Sequence, residues 1–216
     1  MIIGTRAEFE KLADYILKDY LGNDYESYLP LDVQDFAKNY LKLEISYYEF
    51  DPRENIEGML VNDHIILDSR LKNQKRTGER NFTIAHECGH YLINCQENMP
   101  CRYTEYRFNR TKRLITKNDF REWQANVVAS ALLLRPYLVG WAMLTFSKRE
   151  TIVVYGDYQF SKEDSFRLGI MAEYLGVSKS CLRYRLDCLG MLTHKPWHEY
   201  DPTKDTFFPW RLKSNA

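Results

Sequence analysis

Apolar side chains recur at helical spacing from the start of the chain. Phe9, Leu12, Ala13, Ile16 and Leu17 make one face of a helix over residues 6–21. Gly22-Asn23 ends it. A second helix is expected from Pro30, over Leu31 to Tyr40, with Val33, Phe36, Ala37 and Tyr40 on one side. Proline fits at a helix start because its missing N–H has no helical partner there. The period then changes. Leu43-Glu44-Ile45-Ser46-Tyr47 alternates as a strand does. Glu57 to Val61 and His64 to Leu67 read as two more strands, joined at the turn-favouring pair Asn62-Asp63. The expectation is a small antiparallel sheet between residues 43 and 68.

A polar, basic stretch carrying Arg70, Lys72, Lys75 and Arg76 leads into a helix from about Glu79 to Asn94. Residues 95–118 show no period. A strong helix runs from about Asp119 to Leu134 and breaks at Arg135-Pro136. Tyr137 to Phe146 reads as an apolar helix, followed by two short helices at about 163–175 and 178–189. The pattern predicts an α+β fold, mostly helical with a small sheet. The boundaries read from it are a core over 1–160, a helix-turn-helix-like extension over 161–192 packed on that core, and a tail over 193–216.

The third of these helices carries His86-Glu87-Cys88-Gly89-His90, the H-E-x-x-H pattern. Four residues turn a helix through about 400°, so His86 and His90 project from one face, one turn apart. Two imidazoles so placed can share one zinc ion. Glu87, next to the first of them, is placed to act as a base beside the metal rather than as a ligand. Gly89 costs the helix about 1 kcal/mol relative to Ala, which signals either close approach of another backbone or a tolerated defect. A catalytic zinc takes three protein ligands and keeps one position open. Glu122, in the first turn of the next strong helix, is the candidate third ligand. The alternative is that it only compensates that helix's dipole. Asn126, one turn on, shares its face and is placed to hydrogen-bond a ligand.

Composition narrows the setting. The 216 residues are 44% hydrophobic and 28% charged, and net charge is zero, so no whole-molecule field would draw in nucleic acid or an anionic membrane. The 16 tyrosines serve either packing or the lining of a cleft. The start of the chain has no charged segment leading into an apolar one, so no leader is expected. The longest apolar run, Val127 to Leu134, is far shorter than the ~20 residues of a membrane span. Five cysteines (88, 95, 101, 181 and 188) without a CxxC pair suit reduced thiols in a cytoplasm.

Two stretches resemble the ImmA/IrrE family of zincin-like metallopeptidases. Arg80-Asn81-Phe82-Thr83-Ile84-Ala85-His86-Glu87-Cys88-Gly89-His90 is similar to the family's Arg-x-Phe-Thr-x-Ala-His-Glu-x-Gly-His signature at every fixed position. Glu122-Trp123-Gln124-Ala125-Asn126, continuing to Leu132-Leu133-Leu134-Arg135-Pro136, is similar to its Glu-x-x-Ala-Asn helix ending in Leu-Leu-x-Pro. The resemblance spans roughly residues 30–190. Cys88 and Val128 depart from it, standing where an apolar and an aromatic residue are usual. It implies a zincin-like fold, zinc held by His86, His90 and Glu122, and Glu87 as general base. It also implies a protein substrate, a helix-turn-helix repressor or antitoxin of a mobile element or stress system.

Other features point to other roles. Residues 172–189 resemble a helix-turn-helix, with Lys179, Arg183 and Arg185 placed to touch phosphates. A helical segment of this kind also ends proteins of the family as part of the peptidase fold, and direct DNA binding is not expected. The basic, aromatic stretch 102–121 is either a substrate-contacting lid or a solvated loop. The sheet edge near residues 58–67 is open to an added peptide strand. His64 is either a structural histidine or a donor to the transition state, and His194 and His198 read as surface residues. Cys88 should face away from the metal. The rival function is a non-enzymatic regulator or anti-repressor that binds a protein or DNA partner and uses zinc only for structure.

Overall fold

The computed structural model describes residues 4–96, 104–107, 117–203 and 205–207. These fall into two compact units, Met1–Arg135 and Pro136–Ala216. The division lies earlier in the chain than the boundary at residue 160 read from the sequence.

The first unit opens with α1 (Arg6–Leu21). Its start is fixed by a capping box, in which the Thr5 side chain accepts from the Glu8 amide and Glu8 reaches back to the Thr5 amide. Phe9, Ala13, Ile16 and Leu17 are buried, as their spacing predicts. The next helix starts later than expected. Asp32, not Pro30, is the N-cap, because its carboxylate captures the amides of Gln34 and Asp35. That helix is short: α2 (Val33–Asp35) runs straight into a wider π turn over Phe36–Tyr40.

Four strands follow in the spatial order β1-β3-β2-β4: β1 (Glu44–Tyr48), β2 (Ile56–Val61), β3 (His64–Asp68) and β4 (Thr104–Arg107). β2 and β3 form the expected hairpin, with Asn62 in the left-handed conformation (φ 55°). The sheet is nevertheless mixed rather than antiparallel. β1 lies parallel to β3, with Glu44 opposite His64 and Tyr48 opposite Asp68. The link 49–55 carries the chain past the place that β3 later fills, so β1 pairs with β3 and not with β2. β4 falls inside the stretch that shows no period in the sequence. It adds antiparallel to the outer side of β2.

α3 (Thr77–Gln96) packs against one face of this sheet, and α4 (Lys117–Leu133) packs against α3. The face turned to α3 carries Ile56, Gly58 and Leu60 from β2 and Ile65 and Leu67 from β3. Gly58 is needed there, since a Cβ would stand 2.5 Å from the Thr83 methyl on α3. α1 supports the far side of α4 through an edge-on contact of Phe9 with Trp123, at 6.2 Å between ring centroids. Beyond the end of α4, the buried Arg135 guanidinium donates to the carbonyls of Tyr25, Ser27 and Leu29 and holds that loop down.

The second unit contains α5 (Pro136–Ala142), a two-stranded parallel sheet of β5 (Ile152–Tyr155) and β6 (Leu192–Lys195), and a helix pair, α6 (Lys162–Tyr174) and α7 (Lys179–Cys188). Gly176 (φ 65°) makes the turn between that pair, and the Ser178 side chain caps α7. β6 gives structure to residues first assigned to a tail. No single helix among the described residues is long and apolar enough to cross a membrane.

Candidate metal centre

α3 brings His86, Glu87 and His90 into the interior, where they are 0%, 0% and 3% exposed. α4 brings Glu122 and Asn126 to the same place. The His86 and His90 Nε2 atoms lie 3.0 Å apart. The Glu122 carboxylate oxygens lie 3.1 Å from His86 Nε2 and 3.3 Å from His90 Nε2. Among the described residues this is the group of His, Cys, Asp and Glu side chains able to hold a metal ion.

The donor set fits zinc. Bonds of about 2.0–2.1 Å at tetrahedral angles separate neighbouring ligand atoms by roughly 3.3–3.4 Å. The separations here, 3.0 Å between the two Nε2 atoms, 3.1 Å from His86 to Glu122 Oε2 and 3.3 Å from His90 to Glu122 Oε1, are close to that spacing, and one ligand atom from each residue lies within 4.8 Å of the others. Protonation suits it as well. Burial pulls His86 down to about 4, which keeps its ring neutral at neutral pH. Burial raises the Glu122 carboxyl, but its contacts with the His86 and His90 rings outweigh it and hold it well below the ordinary carboxylate value. A neutral imidazole and an ionised carboxylate are the forms that bind a metal.

The two helices meet closely because of Gly89. A Cβ at that position would lie 2.9 Å from the Ala125 carbonyl oxygen and 3.2 Å from its Cα. Of the two readings of Gly89, close backbone approach is the one the structure shows. Asn126 Oδ1 lies 3.0 Å from His86 Nδ1, so the residue expected to support a ligand does meet one. Phe82, one turn before His86, sets its ring 6.4 Å from the imidazole. Cys88 is fully buried outside the converging set, and burial, with the Glu87 charge adding to it, pushes its thiol up.

Three alternative roles gain nothing from the geometry. His64 is opposite Val61 and alternates with the inward Ile65 and Leu67, so it points away from α3. Its Nε2 is 2.8 Å from Ser46 Oγ on that outer face, and it has no route to the metal centre. The stretch 58–67 offers no open edge, because β2 and β3 are the inner strands of the four. On the helix-turn-helix-like pair, Arg185 is 0% exposed and unavailable to a phosphate. Arg183 lies 3.5 Å over the Tyr158 ring, and Lys179 Nζ is 3.0 Å from Ser165 Oγ. His194 pairs with Asp187 at 2.7 Å on the surface of the second unit, where His198 is also exposed. Most of the suggested lid at 102–121 lies outside the described residues.

Residues 45–137 match the family model of the IrrE N-terminal-like domain, peptidase family M78. The matched residues take in the sheet except Glu44 of β1, with α3, α4 and His86, Glu87, His90, Glu122 and Asn126. The match is narrower than the resemblance drawn from the sequence, and α6 and α7 lie outside it. No curated protein shows significant similarity to the chain.

Proposed function

We propose that the chain is a zinc-dependent peptidase that hydrolyses a peptide bond in a regulatory protein. The observation that carries this reading is the convergence of His86, His90 and Glu122, whose ligand atoms lie within 4.8 Å of one another, with Glu87 beside them on α3. The match of residues 45–137 to a peptidase-family domain model supports it. Zinc bound there would supply Lewis acidity. Glu87 takes the proton of the attacking water and hands it to the leaving amine nitrogen. Its burial keeps that proton from bulk solvent. His86, His90 and Glu122 would hold the zinc, with Glu122 contributing the single negative charge of the set.

The substrate class follows from the family resemblance: a helix-turn-helix repressor or an antitoxin, of a mobile element or a stress system. A cytoplasmic setting suits the free state of Cys88, Cys95, Cys181 and Cys188. The competing regulator reading gains nothing from α6 and α7, where Arg185 is buried and Arg183 is engaged with Tyr158.

The test has two parts. Elemental analysis of wild type should give about one zinc per chain, lost in His86→Ala, His90→Ala and Glu122→Ala. Glu87→Gln should keep the metal and lose cleavage of repressors or antitoxins encoded beside the gene. Cleavage retained by Glu87→Gln refutes the base. Wild type that takes up no zinc removes the chemistry.

A further inference from the structure

We infer that Asn126 is a positioning residue that fixes His86 in its metal-binding tautomer. Both ring nitrogens of His86 are met by a single helix. Glu122 of α4 stands at Nε2 (3.1 Å) and Asn126, one turn on, stands at Nδ1 (3.0 Å). A neutral imidazole carries one N–H, and the other nitrogen carries the lone pair. The lone pair must be on Nε2, which faces His90 and Glu122, if His86 is to bind a metal there. The proton then belongs on Nδ1. The atom presented to Nδ1 is the Asn126 amide oxygen, which accepts and cannot donate. Without it, the Glu122 carboxylate, 3.1 Å from Nε2, is the strongest acceptor within reach and draws the proton to the wrong nitrogen. Asn126 therefore opposes Glu122 across one ring until the metal arrives.

The arrangement depends on how closely the helices approach. Ala125, whose backbone abuts Gly89, is the residue before Asn126, so the same contact sets the reach of the amide to the ring. An amide in this place directs the tautomer without adding a second negative charge beside Glu122.

This inference rests on the metal centre proposed above. The experiment measures zinc affinity, by competition with a chromophoric chelator, for wild type, Asn126→Leu and Asn126→Asp, with circular dichroism of the metal-free proteins as the folding control. Asn126→Leu keeps the size of the side chain and removes the acceptor. It should weaken zinc binding roughly 10- to 100-fold, the usual cost of losing a partner behind a metal-bound histidine. Asn126→Asp keeps an acceptor and should bind within a few-fold of wild type or more tightly. In zinc-loaded wild type the His86 Nδ1 proton should give a slowly exchanging NMR resonance, and that resonance should be lost in Asn126→Leu. Asn126→Leu binding zinc as wild type does would overturn the inference while leaving the centre standing. Equal losses in the Leu and Asp variants would also overturn it, since that is how a residue needed only for packing behaves. Wild type without zinc affinity would remove the centre and the inference together.

Discussion

Gly89→Ala sets two known effects against each other. In an ordinary helix the change is favourable by about 1 kcal/mol, because Ala loses less backbone freedom on folding. Here the new Cβ would stand 2.9 Å from the Ala125 carbonyl oxygen, 3.2 Å from its Cα and 3.4 Å from its carbonyl carbon. Carbon atoms in contact prefer about 3.5–4.0 Å. All three neighbours are backbone, so no side chain can swing aside and the helices must separate by several tenths of an ångström. Overpacking of this kind costs about 1–3 kcal/mol. The net expectation is a loss of up to about 2 kcal/mol in urea unfolding of the metal-free protein. Zinc binding should suffer more than stability does. α4 carries Glu122 and Asn126, so moving it away stretches contacts of 3.1 and 3.0 Å to the one ring of His86. A fall in zinc affinity on the order of tenfold or more should follow. A Gly89→Ala protein more stable than wild type by about 1 kcal/mol, with unchanged zinc affinity, would refute the reasoning on both counts.

Other consequences are simpler to state. The metal-free protein should lose stability as pH falls from about 6.5 to about 4, because His86 stays neutral when folded but takes up a proton when unfolded; Glu122, also held low, extends the loss below 4.5. Denaturant midpoints across that range check this, and a flat profile contradicts it. Arg135→Met should cost about 3 kcal/mol or more, since the buried guanidinium serves the carbonyls of Tyr25, Ser27 and Leu29; a loss under about 1 kcal/mol in urea melts would show that the loop holds itself. Alkylation followed by peptide mapping should label Cys95 and Cys188 in the native protein and Cys88 only after unfolding, given their exposed and buried positions. Native labelling of Cys88 would mean that α3 is not packed as described.

What the sequence made legible was local. Gly22 marks the end of α1, and Asn62-Asp63 marks a hairpin, because each signal and its partner lie within a few residues. His86 and His90 are of the same kind, four residues apart on one helix. What escaped depends on distant partners. Nothing in Leu43 to Tyr47 says that β1 will lie parallel to β3, since that follows from where the link 49–55 leaves room. Thr104–Arg107 has no alternation and becomes a strand only because β2 offers an edge. Ile152-Val153-Val154-Tyr155 did carry a signal, a run of β-branched and aromatic residues, and it forms β5. Glu122 stood between ligand and helix-dipole partner on spacing alone. Its separation from the two histidines depends on how closely α3 and α4 approach, and a glycine decides that.

α3 is gripped on two sides by contacts that only glycine allows, Gly89 against α4 and Gly58 of β2 against Thr83. At about 100° per residue, Thr83 and Gly89 point about 120° apart around the helix. The first direction is toward the sheet and the second toward α4. His86 and His90 project between them, His86 nearer the α4 side and His90 nearer the sheet side. Glu87 projects beyond Thr83 on the sheet side, about 100° from His86. The two acidic residues therefore reach the histidine pair from opposite flanks. Glu122 arrives from α4 beside the histidine pair, while Glu87 remains on the sheet flank. Neither carboxylate can take the other's place without turning α3, and the two glycine contacts prevent that turn. The separation of the proposed ligand Glu122 from the proposed base Glu87 thus follows from helix rotation, which two glycine contacts help to set.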